Sequence, residues 1–180
     1  MNSNNQKFLI IIDMQNDFIT GPLGTLEAQN IVDKVYTKIR EAKKSGTHII
    51  FTRDTHFDNY LDTLEGKLLP TPHCLYNSDG WQIHPALPTN AAKIYDKYTF
   101  GDEFLARILA TYYNLDPATD SIELCGLCTD VCVVSNALLL RTFLPNIHIA
   151  VDARCCAGTT PMKHEAALEV MKSCQIEVIK

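Results

Sequence analysis

Cys132 stands in the run Gly126-Leu127-Cys128-Thr129-Asp130-Val131-Cys132-Val133, directly after the apolar stretch Ile122-Glu123-Leu124-Cys125, where a strand hands over to a helix. A cysteine in the first helical turn faces unsatisfied backbone N–H groups and the positive end of the helix dipole, and both favour the thiolate. With Thr129 as N-cap and Asp130 in the first turn, Cys132 takes the third helical position, so one turn would supply a nucleophile, a lowered thiol pKa and donors for an oxyanion. Asp13 follows the apolar run Phe8 to Ile12, and its carboxylate emerges at a sheet edge, where burial can lift its pKa toward a general base's range. Lys97, bracketed by Tyr95, Tyr98 and Phe100, could hold an ammonium beside a thiolate or carboxylate. Each residue also has a plainer reading: a small buried hydrophobe beside Val133 and Val134, a loop aspartate, a solvated lysine.

Asp54-Thr55-His56 and the later Pro72-His73-Cys74 offer one carboxylate and two imidazoles, a set that zinc, iron or manganese would accept with coordination positions left open. Asp17, four residues after Asp13, suits a structural turn. His48 and His148 sit in apolar strands as core or edge histidines, while His84 and His164 show no partner in the sequence. Cys125-Gly126-Leu127-Cys128 is a C-x-x-C between strand and helix, which raises a thiol redox role, but it leaves Asp13 and Lys97 without purpose. A structural zinc on Cys125, Cys128, Cys155 and Cys156 is disfavoured because adjacent cysteines chelate one ion poorly.

These groups need a scaffold, and the alternation along the chain describes one. Strands are expected at 8–12, 48–52, 93–95, 121–125, 146–151 and 175–179, and helices at 28–44, 102–113, 130–143 and 161–172, the last with proline in its first turn. The stretch 53–87, rich in Asp, Pro, Gly and His, reads as a long functional insertion. The alternation predicts an α/β fold: a single-domain, three-layer α/β/α sandwich around a mainly parallel, doubly wound, Rossmann-like sheet of about six strands. Asp13, Asp54, Lys97 and Gly126 would then all lie at strand carboxyl ends and converge along one rim.

The 180 residues, 46% hydrophobic and 21% charged, suffice for one domain, residues 1–180, with a polar tail over 1–6. A net charge of -5 without any basic block excludes nucleic acid as a partner. The first apolar segment, five residues, is too short for a signal core or a membrane span, and seven cysteines, an odd number, read as thiols in a reducing cytoplasm.

Taken as a set, Asp13-Met14-Gln15-Asn16-Asp17-Phe18, Asp54-Thr55-His56, His73-Cys74, Lys97 and Gly126-x-x-Thr-Asp-x-Cys132-Val resemble the isochorismatase-like cysteine hydrolase superfamily, most closely its nicotinamidase (pyrazinamidase) branch. The resemblance implies an isochorismatase-like fold and a triad of Asp13, Lys97 and Cys132. It implies a cis peptide between Leu127 and Cys128, and an oxyanion hole from the Cys128 and Cys132 N–H groups. It implies metal ligands Asp54, His56 and His73, with Zn2+, or Fe2+ or Mn2+, holding the pyridine ring of a small amide that is hydrolysed through a thioester. Homo-oligomers and a place in NAD salvage are further expectations of that branch. Two departures bear on the substrate. Pro70 stands where the branch commonly has a tryptophan wall, leaving Phe18 and, as a substitute, Trp81 to face the ring, and the Gly-Thr-x-Gly stretch reads Asn77-Ser78-Asp79-Gly80. Another small carboxamide or ureido compound is therefore an alternative substrate. Isochorismatase chemistry on a vinyl ether is a competitor that the Asp-x-His and His set counts against.

Overall fold

A computed structural model describes residues 5–180; Met1 to Asn4 of the polar tail lie outside the described residues. Six strands, β1 (Lys7–Ile12), β2 (His48–Asp54), β3 (Lys93–Lys97), β4 (Ser121–Leu127), β5 (His148–Ala157) and β6 (Glu177–Ile179), form one sheet in the order β3-β2-β1-β4-β5-β6. Every adjacent pair is parallel. Parallel neighbours require crossovers, and here α1 (Asn16–Ile19) and α2 (Leu26–Lys44) belong to one face. The helices α4 (Glu103–Tyr112), α5 (Val134–Phe143) and α6 (Pro161–Ser173) belong to the other. The short α3 (Leu64–Leu68) lies in the insertion between β2 and β3. The order reverses between β1 and β4, and the crevice outside their carboxyl ends is where such sheets bind ligands.

The central strand β1 is apolar after Lys7 because helices cover both faces of the sheet there, whereas the edge strands β3 and β6 carry charged, exposed residues. Ile10, Ile11 and Ile12 are fully buried, and truncating any one to alanine would cost about 2–5 kcal/mol. In α2, Ala28, Ile31, Val32, Val35, Ile39 and Ala42 recur at helical spacing and face the sheet, while Thr25 caps the helix by accepting the Ala28 N–H. Asp102 and Thr160 cap α4 and α6 in the same way.

The predicted elements are present with shifted ends. β2 and β3 run on to Asp54 and Lys97, since these side chains are anchored at the rim, and β5 continues to Ala157 past an irregularity opposite β4 between Leu124 and Gly126. β6 starts only at Glu177, after Gln175 takes a left-handed φ of 61°. The stretch 53–87 is not wholly irregular, for it contains a 3-10 turn, Tyr60–Asp62, besides α3. The helix expected over 130–143 is divided into a π turn, Thr129–Val133, and α5. Gly126, with φ 119°, closes β4 against β1, and a Cβ there would stand 2.1 Å from the Ile12 carbonyl oxygen.

Candidate functional site

The rim brings together Asp13, Asp54 and Lys97 from the ends of β1, β2 and β3 and Cys132 from the turn that follows β4. Lys97 Nζ lies 2.8 Å from Asp13 Oδ2, 3.0 Å from Asp54 Oδ1 and 3.4 Å from Cys132 Sγ, and donates to the Thr99 carbonyl at 3.1 Å. All four side chains are buried. Asp13 leaves β1 with φ 47°, and Thr52 steadies it by donating to Oδ1 at 2.6 Å while accepting the Asp13 N–H at 3.2 Å. The other oxygen, Oδ2, meets the ammonium at close range but has no well-aligned hydrogen-bond donor. Burial raises the Asp13 carboxyl above its ordinary value despite Lys97.

Gln15 and Asp17 explain the spacing of the first motif. The buried Gln15 amide donates to the Asp54 and Trp81 carbonyls at 2.8 and 2.9 Å and accepts the Asp54 N–H at 2.7 Å, so it fixes the end of β2. Asp17 Oδ2 accepts the Cys74 N–H at 2.7 Å and tethers the loop that carries His73, a structural role of the kind its position suggested. Asn136, on α5, donates to the Cys132 carbonyl at 2.8 Å and accepts the Asp102 N–H at 2.9 Å, tying the segment after Lys97 to the thiol's own helix.

The thiol's setting corrects two expectations. Thr129 is not the cap: the residue before the turn is Cys128, whose carbonyl accepts the Val131 and Val133 N–H groups, so Cys132 is the fourth residue of a π turn. The thiol pKa is not lowered either. Burial pushes it well above its ordinary value, Lys97 opposes that, and the Asp13 and Asp54 charges add to it. The Leu127–Cys128 peptide is cis. Cys125 is sealed inside β4 with its thiol pushed up by burial, which removes the second thiol of a redox pair.

Beside the trio, Asp54, His56, Glu65 and His73 present ligand atoms that all lie within 4.8 Å of one another. Asp54 Oδ2 is 3.0 Å from His56 Nε2 and 3.6 Å from His73 Nε2, and Glu65 Oε1 is 3.7 and 3.9 Å from the same two nitrogens. Ligands on a tetrahedral ion with bonds of about 2 Å stand about 3.3 Å apart, so the set fits a small divalent cation. His73 Nδ1 lies 2.9 Å from the Thr71 carbonyl, which leaves Nε2 free to ligate. Asp54 stays ionised: burial acts against this, but hydrogen bonds from His56 and His73 and the Lys97 charge hold its pKa well below the usual range. Glu65 was missed in the sequence because a lone glutamate after a threonine marks only a capped turn. Thr63 does accept the Gly66 N–H at 3.0 Å to start α3, and α3 carries Glu65 to the cluster.

A cavity of about 770 Å³ opens over both groups and is lined by Phe18, Asp54, Glu65, His73, Cys128 and Cys132 among others. Phe18 meets the His73 ring edge-on at 5.5 Å. Trp81 does not line this cavity, contrary to its expected role as a ring wall: its indole is buried in the insertion, donates to Thr55 Oγ1 at 2.8 Å and carries the Arg53 guanidinium 3.4 Å above it. Leu64, Leu68, Leu69, Tyr98 and Phe100 form the apolar wall instead. His48 and His148 are exposed at strand starts, against the Phe8 ring and Glu177. His164 does have a partner, Thr129 Oγ1, at 2.8 Å from its Nδ1.

A sequence model of the isochorismatase domain matches residues 7–180. The nicotinamidase/pyrazinamidase of Mycobacterium tuberculosis is 25% identical over 191 residues, covering 95% of this chain and 97% of that protein. The nicotinamidase of Escherichia coli is 25% identical over 195 residues, covering 91% and 89%. The solved structure of Pyrococcus horikoshii pyrazinamidase in complex with zinc superposes with a TM-score of 0.81 at 29% identity, over 97% of this chain and 99% of that one.

Proposed function

The chain belongs to the isochorismatase domain family, and from that membership, the rim trio and the cluster beside it we propose that it is a nicotinamidase, hydrolysing nicotinamide to nicotinate and ammonia. The observation that carries this reading is the buried Lys97 ammonium, in contact with Asp13, Asp54 and Cys132, of which Asp54 and Cys132 line the cavity. Asp13 takes the thiol proton as Cys132 attacks the amide carbon, and the N–H groups of Cys128 and Cys132 receive the developing oxyanion. The C–N bond then breaks as Asp13 returns the proton to the leaving nitrogen. A water deprotonated by Asp13 attacks the thioester, releasing nicotinate and restoring the thiol. Lys97 offsets the negative charge that passes between sulfur and carboxylate. Burial shifts the Asp13 carboxyl upward, toward the range in which a carboxylate can take and return a proton.

Asp54, His56, His73 and Glu65 would hold a divalent metal, zinc by analogy with the Pyrococcus horikoshii protein. Bound there, the ion would anchor the pyridine nitrogen and so orient the ring. Phe18 would face that ring. We further propose one domain acting as a homo-oligomer in the cytoplasm, in NAD salvage; all seven cysteines are unpaired, and no described helix is long and apolar enough to cross a membrane.

The test is ammonia release from nicotinamide, pyrazinamide and short aliphatic amides by zinc-loaded protein. Release from the aromatic amides alone supports the assignment. Release from none, with hydrolysis of another carboxamide or ureido compound, moves the substrate while keeping the reaction.

A further inference from the structure

His164, in the first turn of α6, has no part in the chemistry above, yet its ring reaches the turn that holds the thiol. Thr129 is fully buried, and its hydroxyl lies 2.8 Å from His164 Nδ1. The next residue, Asp130, accepts the Thr159 N–H at 2.7 Å and the Thr159 hydroxyl at 2.6 Å. Gly158 seals the same seam, since a Cβ there would stand 2.8 Å from Asp130 Oδ1 and 2.9 Å from the His164 backbone nitrogen. The turn from Thr129 to Val133 is thus fastened to the start of α6 by three hydrogen bonds made through side chains. A single π turn is a rare geometry that recurs at functional sites. Burial lowers the His164 pKa, which favours the neutral ring, and the 2.8 Å contact joins its Nδ1 to the Thr129 hydroxyl.

We propose that His164 is a positioning residue for the nucleophile: acting through Thr129, it holds the π turn in the register that keeps Cys132 Sγ against the Lys97 ammonium and directs the Cys128 and Cys132 N–H groups at the substrate oxygen. The proposal rests on the nicotinamidase reading for its kinetic test. The competing account is a packing contact between α6 and the turn, which would contribute to stability and leave the chemistry alone.

The experiment compares His164→Leu, His164→Asn, Thr129→Val and the double variant Thr129→Val/His164→Leu. It measures kcat and KM for nicotinamide, the melting temperature, and the rate at which iodoacetamide alkylates the Cys132 peptide, followed by mass spectrometry. His164→Leu should lower kcat about ten- to a hundredfold with KM within about twofold, as expected when a reacting group is displaced by a fraction of an ångström to an ångström. His164→Asn, whose side-chain carbonyl can accept the same hydroxyl, should recover most of that loss. Thr129→Val, a smaller change to the fold, should match His164→Leu, and the double variant should be no worse than either single. The proposal is overturned if kcat is unchanged in His164→Leu, if Leu and Asn lose equally, if the losses multiply in the double variant, or if activity falls only in proportion to the folded fraction. An unmodified protein inactive on every amide would sink the nicotinamidase reading instead. The Cys132 alkylation rates, altered in Leu and restored in Asn, would then still decide this inference.

Discussion

Two lysines in this protein are each clasped by two carboxylates, and they behave as opposites. Lys38, on α2, pairs with Glu123 and with Asp152 on the sheet face beneath it, Nζ lying 2.7 Å from Asp152 Oδ2. Arg154 completes that group, its Nε and Nη2 donating to the two Asp152 oxygens at 2.9 and 2.8 Å. Every Asp152 oxygen is therefore filled. Although burial pushes the other way, hydrogen bonds from Arg154 and Lys38 bring its pKa down to about 2. Lys97 likewise meets two carboxylates at the rim, with the Cys132 thiol beside them, but Asp13 keeps one oxygen without an aligned hydrogen bond, and burial wins there. Saturated hydrogen bonding makes a charge cluster into a staple; a carboxylate oxygen met by an ammonium alone, without an aligned hydrogen bond and beside a thiol, leaves a place where a proton can go.

The contrast can be broken most sharply at the rim. Cys132→Ala should abolish ammonia release, and Asp13→Asn should lower kcat by about a thousandfold or more, toward the upper end of what general acid–base catalysis supplies. The same Asp13→Asn change should leave the melting temperature equal or higher. Asp13 binds its proton more tightly folded than unfolded, so its charge costs stability as pH rises above the ordinary carboxylate value, and removing it removes that cost. A lower melting temperature would show that Asp13 is a staple too. Next in size, His56→Ala, or dialysis against a chelator, should raise KM about ten- to a hundredfold with kcat little changed. A fall in kcat at constant KM would contradict a positioning role for the cluster.

Asp152→Asn should do the reverse, costing about 2–3 kcal/mol in urea unfolding at neutral pH while kcat/KM stays level. Because the Asp152 pKa is depressed, its contribution is present above the ordinary value of 3.8 and fades as pH falls toward about 2, so the variant's deficit should shrink over that window. The smallest effect is expected from Trp81→Phe, which loses the bond to Thr55 for about 1 kcal/mol and leaves KM for nicotinamide unchanged, since the indole faces the insertion.

Much of this was legible in the sequence because it depends on local pattern. β1 holds five consecutive buried residues, Phe8 to Ile12, directly before Asp13, and the strand ends at Asp54, Lys97 and Gly126 place four groups on one rim by pattern alone. What the sequence did not reveal depends on through-space balance. The rise of the Cys132 pKa follows first from desolvation by the surrounding domain, which a local reading of one turn does not include. Glu65 joins the cluster only because a turn and the five-residue α3 fold back over β2's end, and nothing in its neighbours signals a ligand. Trp81's residue type suits a ring wall, whereas Arg53, Tyr76 and Thr55 claim its indole. The partner of His164 is thirty-five residues away in sequence, beyond any local pattern.

Asp54 divides its two oxygens, Oδ1 toward the Lys97 ammonium and Oδ2 toward the imidazoles of His56 and His73. One carboxylate thus serves as a common terminal for two circuits, and position 54 should be epistatic with both 97 and 56, no exchange there disturbing only one of them. In a library varying all three positions, tolerated combinations should be those that change together, and this shared oxygen pair is where the two halves of the site are least free to diverge.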